Sequence, residues 1–260
     1  MEVKDIKTAQ GHWLLAKMGK KVLRPGGKEL TEKLVENLHI TNQDNVIEFA
    51  PGVGYTANLT IHKNPKSYTG VDADDEAISF LKNKFKDEQL HPTFINGDAE
   101  KTGLDEGCAT KIYGEAMLTM HADHRKANII AEAHRLLQPG GLYAIHEIAL
   151  TPNDISTELK AQIQKDLAVS IRVNARPLTI DEWTKLLNDA GFDVVYQQTN
   201  GMYLLKTSRM IDDEGFFHTL QISWNILKSR AATKRIWDMY KVFMKHEKHM
   251  QSIVMVAKKR

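Results

Sequence analysis

The residues best suited to chemistry in this 260-residue chain start at Val46-Ile47-Glu48-Phe49-Ala50-Pro51-Gly52-Val53-Gly54-Tyr55, an apolar strand running into a glycine turn. Gly52 and Gly54 let the backbone approach a ligand more closely than any side chain would allow. Asp72 follows eighteen residues after Gly54, at the end of a second strand-like run, Ser67-Tyr68-Thr69-Gly70-Val71. Strand, small-residue turn, helix and a second strand ending in a carboxylate make up the nucleotide half-site of a doubly wound α/β sheet, where the acid accepts hydrogen bonds from ribose hydroxyls. The arrangement points to an adenosine-containing ligand.

The elements that must hold these residues are legible as a pattern. From Asn45 onward short apolar runs alternate with helical periodicities, which predicts a parallel sheet covered on both faces. Asp74 is placed to cap a helix carrying Ile78, Leu81 and Phe85. Further strands are expected at Thr93-Phe94-Ile95, Lys111-Ile112-Tyr113, Leu142-Tyr143-Ala144-Ile145, Val194-Val195-Tyr196 and Ile253-Val254-Met255-Val256. Thr179-Ile180-Asp181-Glu182 reads as a capping box ahead of Trp183, Leu186 and Leu187. The first helix is expected to run from Trp13 to Val22, until Arg24-Pro25-Gly26-Gly27 breaks it, and residues 211–249 read as a helical pair.

Composition excludes several classes. With 35 Lys plus Arg against 33 Asp plus Glu, the formal charge of +2 provides no broad field for a polyanion, so nucleic acid is not an expected partner. The single cysteine, Cys108, excludes an internal disulfide or a Cys-rich metal site and fits a reducing compartment. His121-Ala122-Asp123-His124 could suggest a metal, but consecutive helical positions diverge around the axis, and no metal is expected. Met1 to Asp5 carry no apolar leader core and no run of about 18 apolar residues occurs, so the expectation is a soluble cytoplasmic chain.

Four motifs occur in one order: Glu48-x-Ala50-x-Gly52-x-Gly54, the acidic Asp72, Gly97-Asp98-Ala99, and Leu136-Leu137-Gln138-Pro139-Gly140-Gly141. Together they resemble the class I S-adenosylmethionine-dependent methyltransferases, with most likeness to the small-molecule branch that includes quinone C-methyltransferases. The resemblance implies a Rossmann-like, seven-stranded, mostly parallel sheet with helices on both faces and a helical lid. It also implies S-adenosylmethionine as cofactor. Gly52-Val53-Gly54-Tyr55-Thr56-Ala57 also satisfies the G-x-G-x-x-A dinucleotide fingerprint, but a carboxylate at Glu48 would repel a pyrophosphate. Ala50 departs from the family's usual first glycine; it costs little if φ there is negative.

Carried over position by position, the resemblance implies that Glu48 lies near the methionine ammonium. It places the backbone of Ala50, Gly52 and Gly54 against the methionine and ribose, Asp72 on the ribose hydroxyls and Ala73 beside the adenine. Asp98 and the Ala99 amide would read the adenine, Glu115 would face the methionine end, and Arg24 would reach the methionine carboxylate. Methyl transfer is an in-line displacement that needs a base only when the acceptor keeps a proton, and the candidates by position are His121, His146 and Glu147.

The expected partner is a small organic acceptor. The second reading is a membrane-surface enzyme acting on a lipid or quinone, since the helical pair and tail combine large apolar residues with Lys228, Arg230, Lys234, Arg235, Lys241, Lys245 and Lys248. A non-catalytic nucleoside- or dinucleotide-binding protein is the third. The expected organisation is a helical cap at 1–40, a cofactor-binding unit at 41–206 plus 250–260, and a helical insertion at 207–249.

Overall fold

A computed structural model describes residue 6, residues 8–202 and residues 207–260; residues 1–5 and 7 of the expected cap, and 203–206 at the end of the expected central unit, lie outside the described residues. Seven strands form one sheet in the order β3-β2-β1-β4-β5-β8-β7, and the two-residue β6 (Leu178–Thr179) pairs with β5. These strands are β1 (Asn45–Phe49), β2 (Ser67–Asp72), β3 (Thr93–Asn96), β4 (Ala109–Glu115), β5 (Leu137–Leu150), β7 (Phe192–Gly201) and β8 (Met250–Lys259). All ladders from β3 to β5 are parallel, while β8 runs antiparallel between β5 and β7. The sheet is the Rossmann-like one expected, with strand order reversing beside β1 and leaving a crevice at the carboxyl ends of β1 and β4.

Strand alternation assigns the two faces. β1 sends Ile47 and Phe49 to the face covered by α5 (Asp123–Leu136) and α7 (Ile180–Asp189), where Ile130, Ala133, Trp183 and Leu187 pack. Val46 goes to the opposite face with Ala57 of α3 (Tyr55–Ile61), Leu81 of α4 (Asp75–Lys84) and Leu34 of α2 (Gly27–Asn37). The expected boundary at residue 40 therefore runs between α2 and the sheet on which α2 packs. Caps form where the local sequence calls for them: Asp74 accepts from the amides of Glu76 and Ala77, and Thr179 and Glu182 close a reciprocal capping box.

The lid departs from expectation in two places. α1 (Gly11–Lys17) ends well before Val22 because Gly19 takes φ +105°, and the chain then continues as an extended strap. Residues 211–249 contain three helices rather than a pair: the end of α8 (Thr207–Glu214), then α9 (Phe216–Leu227) and α10 (Arg230–Lys245). A third core joins Leu14, Leu15 and Met18 of α1 to Ile163 and Leu167 of α6 (Thr157–Ile171), Ile222 of α9, and Met239 and Phe243 of α10.

The strap is fastened by α8. Glu214 Oε1 accepts from the amides of Lys21 and Val22 at 2.8 Å each, Asp213 Oδ1 accepts from the Lys28 amide at 2.8 Å, and the fully buried Lys20 ammonium lies 3.8 and 3.7 Å from these two acids. Burial lowers the Lys20 pKa, against the opposing pull of Asp213 and Glu214. A β-carbon at Gly27 would fall 2.5 Å from Asp213 Oδ1, so only glycine permits this approach.

Candidate active site

A cleft of about 650 Å³ opens at the carboxyl ends of β1, β2 and β4 under α1. Ala50 and Gly52 line it after β1, Asp72 and Ala73 at and after β2, Asp98 and Ala99 after β3, and Glu115 at the end of β4. Arg24 reaches it from the strap and His121 from the turn after β4. Five segments far apart in sequence thus bring nine of the thirteen expected residues to one crevice.

Asp72 organises the turn. Its Oδ2 accepts from the Gly52 amide at 3.1 Å and its Oδ1 from the Asp74 amide at 3.0 Å, leaving lone pairs on both oxygens for a ligand. Burial pushes its carboxyl above the ordinary value, against these backbone donors. Gly52 has φ +55°, and a β-carbon there would meet only the Ala50 carbonyl, at 3.9 Å, so the turn leaves open space on its ligand side. Ala50 has φ +54°, so the condition under which an alanine costs little there, a negative φ, is not met: it holds a left-handed conformation that glycine adopts freely. Ala116, after β4, does the same at φ +53°.

The methionine side of the expected site is built on a buried polar cluster. Glu115 Oε1 accepts from the Thr31 hydroxyl at 2.6 Å and from His146 Nδ1 at 2.8 Å; Oε2 accepts from the Thr56 hydroxyl and lies 3.2 Å from Arg24 Nε. Burial would raise the Glu115 pKa, but Arg24, His146 and Thr31 outweigh it and hold the group at about 2. Arg24 also stacks over Tyr55, its guanidinium 5.3 Å from the ring centre. Its Nη1 is buried with no hydrogen-bond partner among the described residues. An uncompensated guanidinium nitrogen beside an open cleft is complementary to a ligand carboxylate.

At the other end, Asp98 Oδ1 accepts from the Glu100 amide and Oδ2 pairs with Arg125 at 2.6 Å. The Glu100 amide and then Arg125 outweigh the opposing effect of burial and keep the Asp98 carboxyl below its ordinary pKa. His121 has Arg125, Asp98, Glu100 and Lys126 as charged neighbours, and burial, followed by Arg125, lowers its pKa.

Four expected residues do not line the cleft. Glu48 is buried on the opposite face of β1, where Tyr68 and Tyr113 both donate to its Oε2, the latter at 2.8 Å. Burial raises its pKa to about 7 despite these donors. Gly54 faces α4, and a β-carbon there would fall 2.5 Å from Leu81 and 2.9 Å from Phe85, so its absence of side chain serves packing. His146 is fully buried and both ring nitrogens are engaged: Nδ1–H donates to Glu115, and Nε2 accepts from the Gly26 amide at 3.1 Å. A free base is therefore not available there. Glu147 accepts from the backbone amides of Met117, Leu118 and Thr119 at 2.7–3.0 Å and so holds the 3-10 turn after β4.

Sequence reasoning placed a helix here but missed the residues by which it meets the cleft. Gln10, His12 and Trp13 line the cleft from above. The signal was a polar histidine within an otherwise apolar helix, next to a tryptophan. Behind His12 lies a second, smaller cavity of about 60 Å³, walled by apolar residues that include Leu15, Ile148, Ile171, Met239 and Phe243, with Glu147 and Thr119 among its few polar ones. His12, Leu23, Ala116 and Met120 line both spaces.

Comparison with known proteins settles the family. A family model described as "Methyltransferase domain" matches residues 46–141, the stretch from β1 to the start of β5 that carries the four motifs. An uncharacterized protein of Haemophilus influenzae is 33% identical over 259 residues, covering 97% of this chain and 99% of that one. The chain belongs to the class I S-adenosylmethionine-dependent methyltransferases. The methyltransferase fold extends beyond the motif region: the cyclopropane synthase MmaA2 of Mycobacterium tuberculosis superposes with a TM-score of 0.73 at 13% identity, covering 98% of this chain and 99% of that one. Phosphoethanolamine N-methyltransferase 2 of Haemonchus contortus, solved in complex with S-adenosyl-L-methionine, superposes at 0.70 with 13% identity, covering 96% of this chain and 56% of that one. At such identities the shared property is the fold. The methyltransferase cofactor is S-adenosylmethionine, and the orphaned Arg24 nitrogen, the open face of Gly52 and the spare acceptor capacity of Asp72 suit its carboxylate, its backbone contacts and its ribose.

Proposed function

We propose that this methyltransferase methylates a small organic acceptor by in-line displacement, with the acceptor held in the cleft and its apolar end turned toward the small cavity behind His12. Bound S-adenosylmethionine supplies a methyl group already activated by a sulfonium. The protein's part is then alignment and exclusion of water. Arg24 holds the methionine carboxylate, Glu115 keeps Arg24 in place, Asp72 holds the ribose hydroxyls, Ala73 packs beside the adenine, and Asp98 and the Ala99 amide read its edge. Residues 8–40 and 207–249 act as the lid over the cofactor-binding unit.

The observation that carries this reading is the shared wall between the two spaces: four residues border both, and the smaller space is predominantly apolar. His12 sits at that wall. Its ring makes no hydrogen bond to a described residue, and burial lowers its pKa to about 4 against a weaker effect of Asp74, so it stands neutral near pH 7. A neutral imidazole there can accept a hydrogen bond from the acceptor and orient it, while the burial that disfavours its charged form makes it a weak base. His121 has Arg125 and Asp98 as charged neighbours and does not line the small cavity.

The test is incubation of the protein with S-adenosylmethionine and separate panels of small apolar phenols, quinols, amines and thiols, following S-adenosylhomocysteine. Turnover with one small-molecule class is expected. Transfer to peptide or nucleic acid, with none to any small acceptor, would contradict the reading.

A further inference from the structure

One surface feature is absorbed by neither the cofactor cleft nor the small apolar cavity. On α9, Phe217, Leu220, Trp224 and Leu227 follow one helical stripe and are 84, 53, 60 and 67% exposed. Phe216 and, on α10, Trp237 extend the patch, both 56% exposed. Isolated exposed apolar side chains are ordinary, but two phenylalanines, two leucines and a tryptophan on one helix, with a second exposed tryptophan on the helix packed beside it, are of the kind that marks a binding face.

Charge says what the face fits. Residues 216–249 hold seven Lys plus Arg against two Asp plus Glu, or +5, whereas the whole chain carries only +2. α9 contains no acidic residue. Arg235 is turned inward, bonded to the Ile6 and Ala9 carbonyls, while Lys245 pairs with Asp166 and stays exposed. Lys228, Arg230, Lys234, Lys241 and Lys248 are exposed as well. Two of them sit on the tryptophans themselves: the Lys228 ammonium is 5.3 Å from the Trp224 ring and the Lys241 ammonium 5.8 Å from the Trp237 ring. Amphipathic rings and apolar side chains flanked by lysines are what binds the headgroup boundary of an anionic bilayer. A second copy of the chain fits poorly, because a two-fold contact through this face would set like charges against one another.

From this we infer that the α9–α10 face docks on an anionic lipid surface. α10 turns Trp237 and Lys241 to that surface while its buried side presents Met239 and Phe243 to the small apolar cavity. An apolar molecule dissolved in the bilayer would therefore meet the protein one helix thickness from that cavity.

Vesicle co-sedimentation of the full chain tests the inference, using phosphatidylcholine alone and equal parts phosphatidylcholine and phosphatidylglycerol, each at low and high salt. Binding to the anionic vesicles is expected, weakened by salt. It should fall about tenfold or more in Phe217→Ser/Trp224→Gln and in Lys228→Glu/Lys241→Glu, and remain unchanged in Val195→Ser, an exposed apolar residue of β7 outside the patch. Circular dichroism and S-adenosylmethionine titration verify that each variant is folded. A folded wild type that stays in the supernatant with anionic vesicles at low salt overturns the inference. So does a dimer, seen by light scattering, that Phe217→Ser/Trp224→Gln dissolves, because the face would then be covered by a second copy.

Discussion

Arg24 and Glu115 form a buried ion pair, Nε to Oε2 at 3.2 Å, that ties the strap after α1 to the end of β4. His146 sets its geometry from beneath, bonding Glu115 with one ring nitrogen and the Gly26 amide with the other. The residue that presents Arg24 and the residue that orients it thus share one histidine.

Arg24→Lys keeps the positive charge but removes the planar fork, including the orphaned Nη1. The variant is expected to fold, and its Kd for S-adenosylmethionine to rise about tenfold, in line with the loss of one charge-assisted hydrogen bond. Titration calorimetry measures this directly. Glu115→Gln leaves the guanidinium buried without its counter-charge and is expected to cost about 3–5 kcal/mol of stability by chemical denaturation.

Two buried acids work in separate pH windows. The folded-state pKa of Glu48 is raised from 4.5 to about 7, so the folded chain binds the extra proton between those values and stability falls as pH rises through them. The size is of order 3 kcal/mol. Glu115 is lowered from 4.5 to about 2, so its contribution is complete above pH 4.5 and is lost as pH falls toward 2. Unfolding free energies across pH 4.5–7 should show the Glu48 slope in wild type and lack it in Glu48→Gln.

Ala50 holds φ +54° without being glycine. Relief of that backbone strain, partly offset by the greater freedom of glycine in the unfolded chain, is expected to make Ala50→Gly more stable by about 0.5–1 kcal/mol. A thermal melt at neutral pH checks the direction.

At Gly26 a β-carbon would fall 2.4 Å from Leu30 and 2.6 Å from His146 Nε2. Gly26→Ala is expected to cost about 1–3 kcal/mol through overpacking. It should also weaken S-adenosylmethionine binding, because the strap carrying Arg24 must shift; the same melt and titration read both effects.

The sheet, the β1 turn and the positions of Asp72, Asp98 and Glu115 were readable because period-two patterning, a glycine turn and strand ends are local signals. Which face of a strand borders the cleft is not local. Glu48 stands two residues before the turn, yet alternation sends it to the α2–α4 face, where Tyr113 is its register partner across β1 and β4. His146 and Glu147 are neighbours within β5, which runs on to Leu150 past the strand end expected there, and opposite faces make one a brace for the strap and the other an acceptor for the 3-10 turn. The role of Arg24-Pro25-Gly26-Gly27 depends on Asp213 and Glu214, nearly two hundred residues away. His12 reaches the cleft only because α1 packs on α6 and α10, a tertiary arrangement no window of sequence contains.

The most direct measurement is calorimetric titration of S-adenosylmethionine into the full chain and into Asp72→Ala. One site per chain is expected in wild type, with Kd raised at least about tenfold in the folded variant as the ribose loses its acceptor. Equal affinity in a folded Asp72→Ala, or no heat of binding in a folded wild type, would contradict the assignment of the cleft.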